Sequence, residues 1–191
     1  MNKETSIVKK ESKYLFSFID VMYGVILGIG FSNFEKISSA MGYILFFFTY
    51  IVVVSDWIIV HETDFEKPYS ETKWRFATDT IILFVIYKLI YTSSSKEITY
   101  YWIWVSGLFI LYSFWDILLF FEHGRKKAPT KVKVWIITDS IGVVIFVLFA
   151  ILVLLGLIPY TLLTIFIPII GYGIIMYFWY KKYSENIVVG G

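Results

Sequence analysis

Five aspartates, Asp20, Asp56, Asp79, Asp116 and Asp139, interrupt stretches that are otherwise apolar enough to cross a bilayer. Their spacing is nearly periodic: the interval from Asp56 through Glu62 to Asp79 recurs sixty residues later as Asp116, Glu122 and Asp139, and Asp20 precedes Asp79 by fifty-nine. An unpaired carboxylate at the centre of a membrane helix costs about 2.5–3.5 kcal/mol on insertion scales, and less near an interface. Carboxyl groups retained at that cost either accept hydrogen bonds that hold a bundle together or line a route for protons or cations. Asp56, Asp79, Asp116 and Asp139, with Lys88, therefore form an intramembrane charge layer. Trp57, Trp74, Trp115, Trp135, Ser55, Ser113 and Thr138 are the donors expected at the same level, since indole N–H groups sit naturally at a membrane interface.

The elements that carry these residues follow from composition. Of 191 residues, 58% are hydrophobic, 21% aromatic and only 17% charged, more apolar surface than a soluble core of this length could bury. The expected class is an all-α integral membrane protein. Six segments reach the roughly 20 apolar residues that a spanning helix needs, near 14–34, 41–61, 75–95, 99–121, 133–156 and 159–180. They lack the strict polar–apolar alternation of barrel strands, so helices are the spanning element. The absence of cysteine excludes disulfides, zinc–thiolate centres and thiol nucleophiles.

Basic residues set the expected orientation. With the amino terminus in the cytoplasm, fourteen of the seventeen Lys and Arg residues fall on the inner side, leaving only Lys36, Lys88 and Lys96 for the other side or the membrane. That asymmetry predicts cytoplasmic termini, with a segment 1–13, a six-helix domain 14–180 and a tail 181–191. The first thirteen residues are too polar for the core of a secretory signal, so the first apolar run is expected to be a retained span. Short outer connections and longer, mixed-charge inner ones predict three helical hairpins, a period that matches the recurrence of the acids. The third hairpin breaks the pattern with Met176 and Lys182 at the corresponding positions, so duplication and independent placement of acids near the inner interface both account for it. Lys88, about 20 Å along its helix from Arg75, is expected to snorkel outward.

The first helix carries the most specific motif. Gly24 and Gly28, four apart, permit close approach of a neighbouring backbone. The run Phe18-Ile19-Asp20-Val21-Met22-Tyr23-Gly24-Val25 resembles the Phe-Ser-Asp signature of the endolysosomal potassium-channel family, whose prokaryotic members are six-helix subunits, and Trp57, His61 and Phe65 resemble the family's pattern at the end of the second helix. Ile19 replaces the serine, His61 stands beside Glu62 in place of paired histidines, and Ser32 replaces an aliphatic residue. The resemblance implies a tetrameric cation channel of a prokaryotic plasma membrane, without a carbonyl filter sequence. It makes Val25 and Ile29 a hydrophobic constriction, Ser32 the next pore-lining residue, and Asp20, Trp57 and His61 a polar network behind the pore helix.

Two other functions fit the same residues. A proton- or cation-coupled transporter would use Asp79 and Asp139 as its binding pair with Lys88 as counter-charge, and Pro168 with Gly171 and Gly173 as a helix break. A non-conducting sensor, scaffold or effector would use Arg125, Lys126, Lys127, Lys131 and Lys133 to contact anionic lipid, although the same cluster is also a plain orientation signal. His61-Glu62 and Glu122-His123 bear metal-ligating groups, but neither forms a HExxH helix motif and no histidine is spaced for a serine triad. The expected reading is therefore not an enzyme and has no cofactor or metal. Its partners are the bilayer, monovalent cations and further copies of the chain, and not nucleic acid.

Overall fold

In a computed structural model, the described residues form six helices in chain order: α1 (Lys3–Phe34), α2 (Ala40–Glu66), α3 (Lys73–Ser94), α4 (Tyr101–Glu122), α5 (Thr130–Leu154) and α6 (Leu162–Val189). The structure describes the backbone of 3–66, 73–94, 100–124, 128–159 and 161–189, and side chains within these except 3–13, 59, 62–66, 179–180 and 182–189. No strand occurs among the described residues. Among the described residues five helices are long and apolar enough to cross a membrane, namely α1 from Tyr14, α2 to Ile58, α3, α4 and α5. In α6 the apolar stretch Leu162–Phe178 is shorter.

Helix ends are fixed by local chemistry. Ser39 Oγ accepts the Gly42 N–H at 3.0 Å and caps α2. Thr161 and Thr164 exchange backbone-to-hydroxyl bonds of 2.9 and 3.3 Å at the start of α6, a reciprocal box that satisfies two N–H groups the helix itself cannot. Gly156, at φ 68°, ends α5. Its N–H reaches Val153 O at 3.0 Å and the Leu157 N–H reaches Leu152 O at 2.9 Å, the paired bonds of a left-handed glycine stop.

The chain divides into two compact units, Met1–Ile98 and Thr99–Gly191. The packed groups are thus triplets of helices, where loop lengths alone suggested three pairs. In the first unit α3 packs on both α1 and α2. It accordingly buries 56% of its most apolar window, against 22% for α1 and 33% for α2. The covered stripe of α1 is Ile19, Tyr23, Ile26, Gly30 and Asn33, the three- and four-residue steps of one helix face. In the second unit α5 packs on both α4 and α6, around the fully buried Trp102 and Phe146.

Close helix contact in the first unit depends on glycines other than Gly24 and Gly28, around which a Cβ would meet nothing. Gly30 accommodates the Tyr50 ring, whose hydroxyl donates to Leu27 O at 2.7 Å. At Gly42 a Cβ would lie 2.7 Å from the Ser93 backbone oxygen and 2.8 Å from Ile37 Cγ2. A carbonyl at that position cannot swing aside as a side-chain tip can. Gly42→Ala is therefore expected to destabilise the protein by about 1–3 kcal/mol, read as an earlier unfolding midpoint in detergent; an unchanged midpoint contradicts the close α2–α3 contact.

Candidate functional site

The middle of α1 and the carboxyl-terminal part of α2 are joined by one carboxylate. Asp20 Oδ1 accepts the Trp57 indole N–H at 3.0 Å and lies 3.2 Å from His61 Nε2. His61 Nδ1 lies 2.8 Å from the Trp57 carbonyl oxygen. One helical turn separates Trp57 from His61, which stacks their rings with centroids 4.0 Å apart, and the Phe16 ring meets the imidazole edge at 4.6 Å. A carbonyl can only accept, so Nδ1 carries a proton; a hydrogen bond between Nε2 and Asp20 then needs a second proton, on the imidazole or on the carboxyl. The constellation is half-open, with His61 25% and Asp20 40% exposed.

Two further aspartates of the first unit are buried. Asp56 is buried and accepts the Tyr23 hydroxyl through Oδ2. Asp79 and Arg75, four apart on α3 and therefore on one face, are 2% and 1% exposed. Phe18 packs against Phe76 of α3 at 5.9 Å. Lys88 is half-buried, with Nζ 5.6 Å from the Phe84 ring centre and 6.0 Å from those of Tyr87 and Tyr91, so aromatic faces of its own helix shelter the ammonium.

Opposite the packed stripe, α1 is bare. Val21 and Val25 are 63% and 48% exposed, and Gly24, Gly28 and Ser32 share that side, with Ile29 partly covered. The Ser32 hydroxyl donates to Ile29 O at 2.7 Å. Its proton is thereby committed to its own helix, and its oxygen keeps lone pairs for another partner.

The second unit holds a different arrangement. The carboxyl groups of Asp116 on α4 and Asp139 on α5 are within hydrogen-bonding reach of each other, and the Tyr172 hydroxyl of α6 donates to Asp139 Oδ1 at 3.4 Å. Asp79 and Asp139, the pair expected of a transporter, belong to different units. Thr138 spends its hydroxyl on Val134 O and Trp135 O of its own helix, and Trp74 is 70% exposed.

Tyr23 and Tyr172 are the donors that sequence reasoning missed. Each lies thirty-three residues from its aspartate, but a tyrosine inside an apolar run reads as core, and its hydroxyl is betrayed by no spacing rule. Among the described residues no three His, Asp or Glu side chains converge as a metal set. In the basic cluster, Lys131 Nζ lies 5.8 Å from the Trp135 ring centre and Lys133 is exposed. Arg125, Lys126 and Lys127 lie outside the described residues, as do Lys67 and Lys96 and the side chains of Glu62 and Phe65. No family model, curated protein or solved structure matches the chain.

Proposed function

We propose that the chain is the subunit of a homo-oligomeric cation channel, fourfold by the resemblance of its first-helix motif, in which α1 faces the symmetry axis and Val25, Ile29 and Ser32 line the passage. The observation that carries this reading is the division of α1 into two faces. One stripe is packed and tied to α2 through Asp20, Trp57 and His61; the other, Val21, Gly24, Val25, Gly28 and Ser32, is bare and has a single polar side chain. Glycines on a bare face admit a close neighbour in a membrane, where packing and not apolar burial drives helix association.

Mechanism follows from the side chains. Rings of Val25 and Ile29 form a dry neck that closes by dewetting, and Ser32 oxygens beyond it offer acceptors to a cation that has shed part of its water. Asp20 holds the helix in register through Trp57 and His61 of α2. Potassium passes more readily than sodium because it gives up hydration water at lower cost.

The chain has no cysteine, so a single introduced thiol reports on its own position. In vesicles, Val25→Cys and Ser32→Cys are expected to form disulfide-linked dimers of the 22.4 kDa chain, whereas Ile110→Cys, on a 51% exposed position of α4, is expected to remain single. Equal cross-linking at all three positions, or none at Val25 and Ser32, overturns the axial placement of α1.

A further inference from the structure

The side of α3 turned away from its neighbours carries one unbroken stripe. Trp74, Ala77, Ile81, Phe84, Lys88 and Tyr91 are all exposed or half-buried and follow one another in steps of three and four, the spacing of a single helix face. Asp79, Ile82, Ile86 and Leu89 on the other side are buried. From Trp74 to Tyr91 the stripe runs about 26 Å, close to the thickness of a bilayer's hydrocarbon. An indole marks one end and a phenol the other, the residues favoured at the two membrane interfaces.

Lys88 is the only charged member of this stripe. It lies six residues before the end of α3, about 9 Å along the helix. Its Nζ is 5.6 Å from the Phe84 ring centre and 6.0 Å from those of Tyr87 and Tyr91. Rings attract an ammonium but leave its charge uncancelled, and an uncancelled charge among lipid tails is costly. The aspartates of the first unit do not supply the counter-charge: Asp79 lies on the packed face of α3, Asp56 accepts the Tyr23 hydroxyl, and Asp20 meets Trp57 and His61. Among the described residues no acid forms an ion pair with Lys88, and the Tyr87 and Tyr91 hydroxyls have no hydrogen-bond partner.

An ammonium and two hydroxyls, each able to donate, thus share one region of an otherwise apolar face. The positive charge selects an anion, and the apolar remainder of the stripe selects a molecule with acyl chains. We propose that this stripe binds an anionic phospholipid, its phosphate held by Lys88 Nζ with the Tyr87 and Tyr91 hydroxyls and its acyl chains lying along Phe84, Ile81 and Ala77. The phosphate of a zwitterionic lipid is already balanced by its own headgroup cation, so the site prefers a lipid with net negative charge. One basic residue at a charged lipid surface supports a preference of about fivefold. The site uses α3 alone and does not rest on the channel reading.

The chain has no cysteine, so a fluorophore on Ile81→Cys reports on the lipid beside that position. In phosphatidylcholine vesicles, phosphatidylglycerol bearing a nitroxide on its acyl chain is expected to quench this label as strongly as about five times as much nitroxide-bearing phosphatidylcholine. Lys88→Gln is expected to make the two lipids equal, as is the fully apolar Lys88→Met, which serves if the first variant does not fold. Lys88→Arg keeps the charge and is expected to keep the preference. The same label on Ile110→Cys of α4, at a 51% exposed position, is expected to be indifferent to Lys88→Gln. Equal quenching by the two lipids when Lys88 is intact, a preference that persists in the neutral variants, its loss in Lys88→Arg, or a matching change at Ile110 overturns the site. So does a label at Ile81 that neither lipid quenches, which would show the stripe covered by protein, such as a second copy of the chain.

Discussion

Vesicles carrying the Val25→Asn, Ile29→Asn double variant are expected to pass potassium at least about tenfold faster than those carrying the unsubstituted chain. Val25 is half exposed and Ile29 one turn away, and in an assembly each substitution is repeated around the axis. An apolar ring excludes water and imposes a barrier on an ion that must stay partly hydrated. Amide groups at the same positions supply donors and acceptors that keep the neck wet. A tenfold change corresponds to only about 1.4 kcal/mol, a small part of what stripping water from a cation costs, so the effect should be large. Ile110→Asn, at a 51% exposed position of α4, places the same amide on a helix outside the motif and is expected to leave flux unchanged. Equal fluxes in the double variant and the unsubstituted chain would end the pore assignment of α1.

Gly142→Leu is expected to destabilise the second unit by about 3 kcal/mol, the upper part of the range for overpacking. A Cβ at Gly142 would collide with the edge of the Phe109 ring, 2.6 Å from its Cε1. That ring has nowhere to go: it stacks on Phe146 at 4.6 Å and meets Tyr172 edge-on at 5.0 Å and Tyr112 at 5.9 Å, and it is only 4% exposed. Displacing Phe109 also displaces Tyr172, which holds Asp139. Unfolding in detergent should therefore begin at lower denaturant. Gly107→Ala on α4, where a Cβ meets nothing, is the matched control and is expected to be neutral or to gain up to about 1 kcal/mol from helix propensity. Similar midpoints for Gly142→Leu and Gly107→Ala would contradict the α4–α5 packing.

These two variants mark different links between sequence and behaviour. Val25 and Ile29 stand out through a motif, and their role depends on copies of the chain meeting. Gly142 has no motif. It is one of twelve glycines, and only the ring placed against it distinguishes it from Gly107. The same holds for Gly30 and Gly42, whose spacing announces nothing, while the conspicuous Gly24 and Gly28 are bare within the chain.

The sequence by itself determined the helical class and most of the element positions, because runs of about 20 apolar residues bounded by charged or Gly- and Pro-bearing connections have few other ways to satisfy their backbone in a membrane. The expected segments at 75–95, 99–121 and 133–156 correspond to Lys73–Ser94, Tyr101–Glu122 and Thr130–Leu154. It also singled out Asp20, Trp57 and His61, which the fold brings within hydrogen-bonding distance. Only the tertiary structure decided that Asp56 meets Tyr23, that Asp139 meets Asp116 and Tyr172, and that helices group by threes. The reason is physical: a helix apolar on every side does not distinguish the face that packs on protein from the face that meets lipid, since lipid tails are as apolar as leucine. Which stripe turns inward, and hence which hydroxyl reaches which carboxyl, is settled by the fit of rings and glycines between helices.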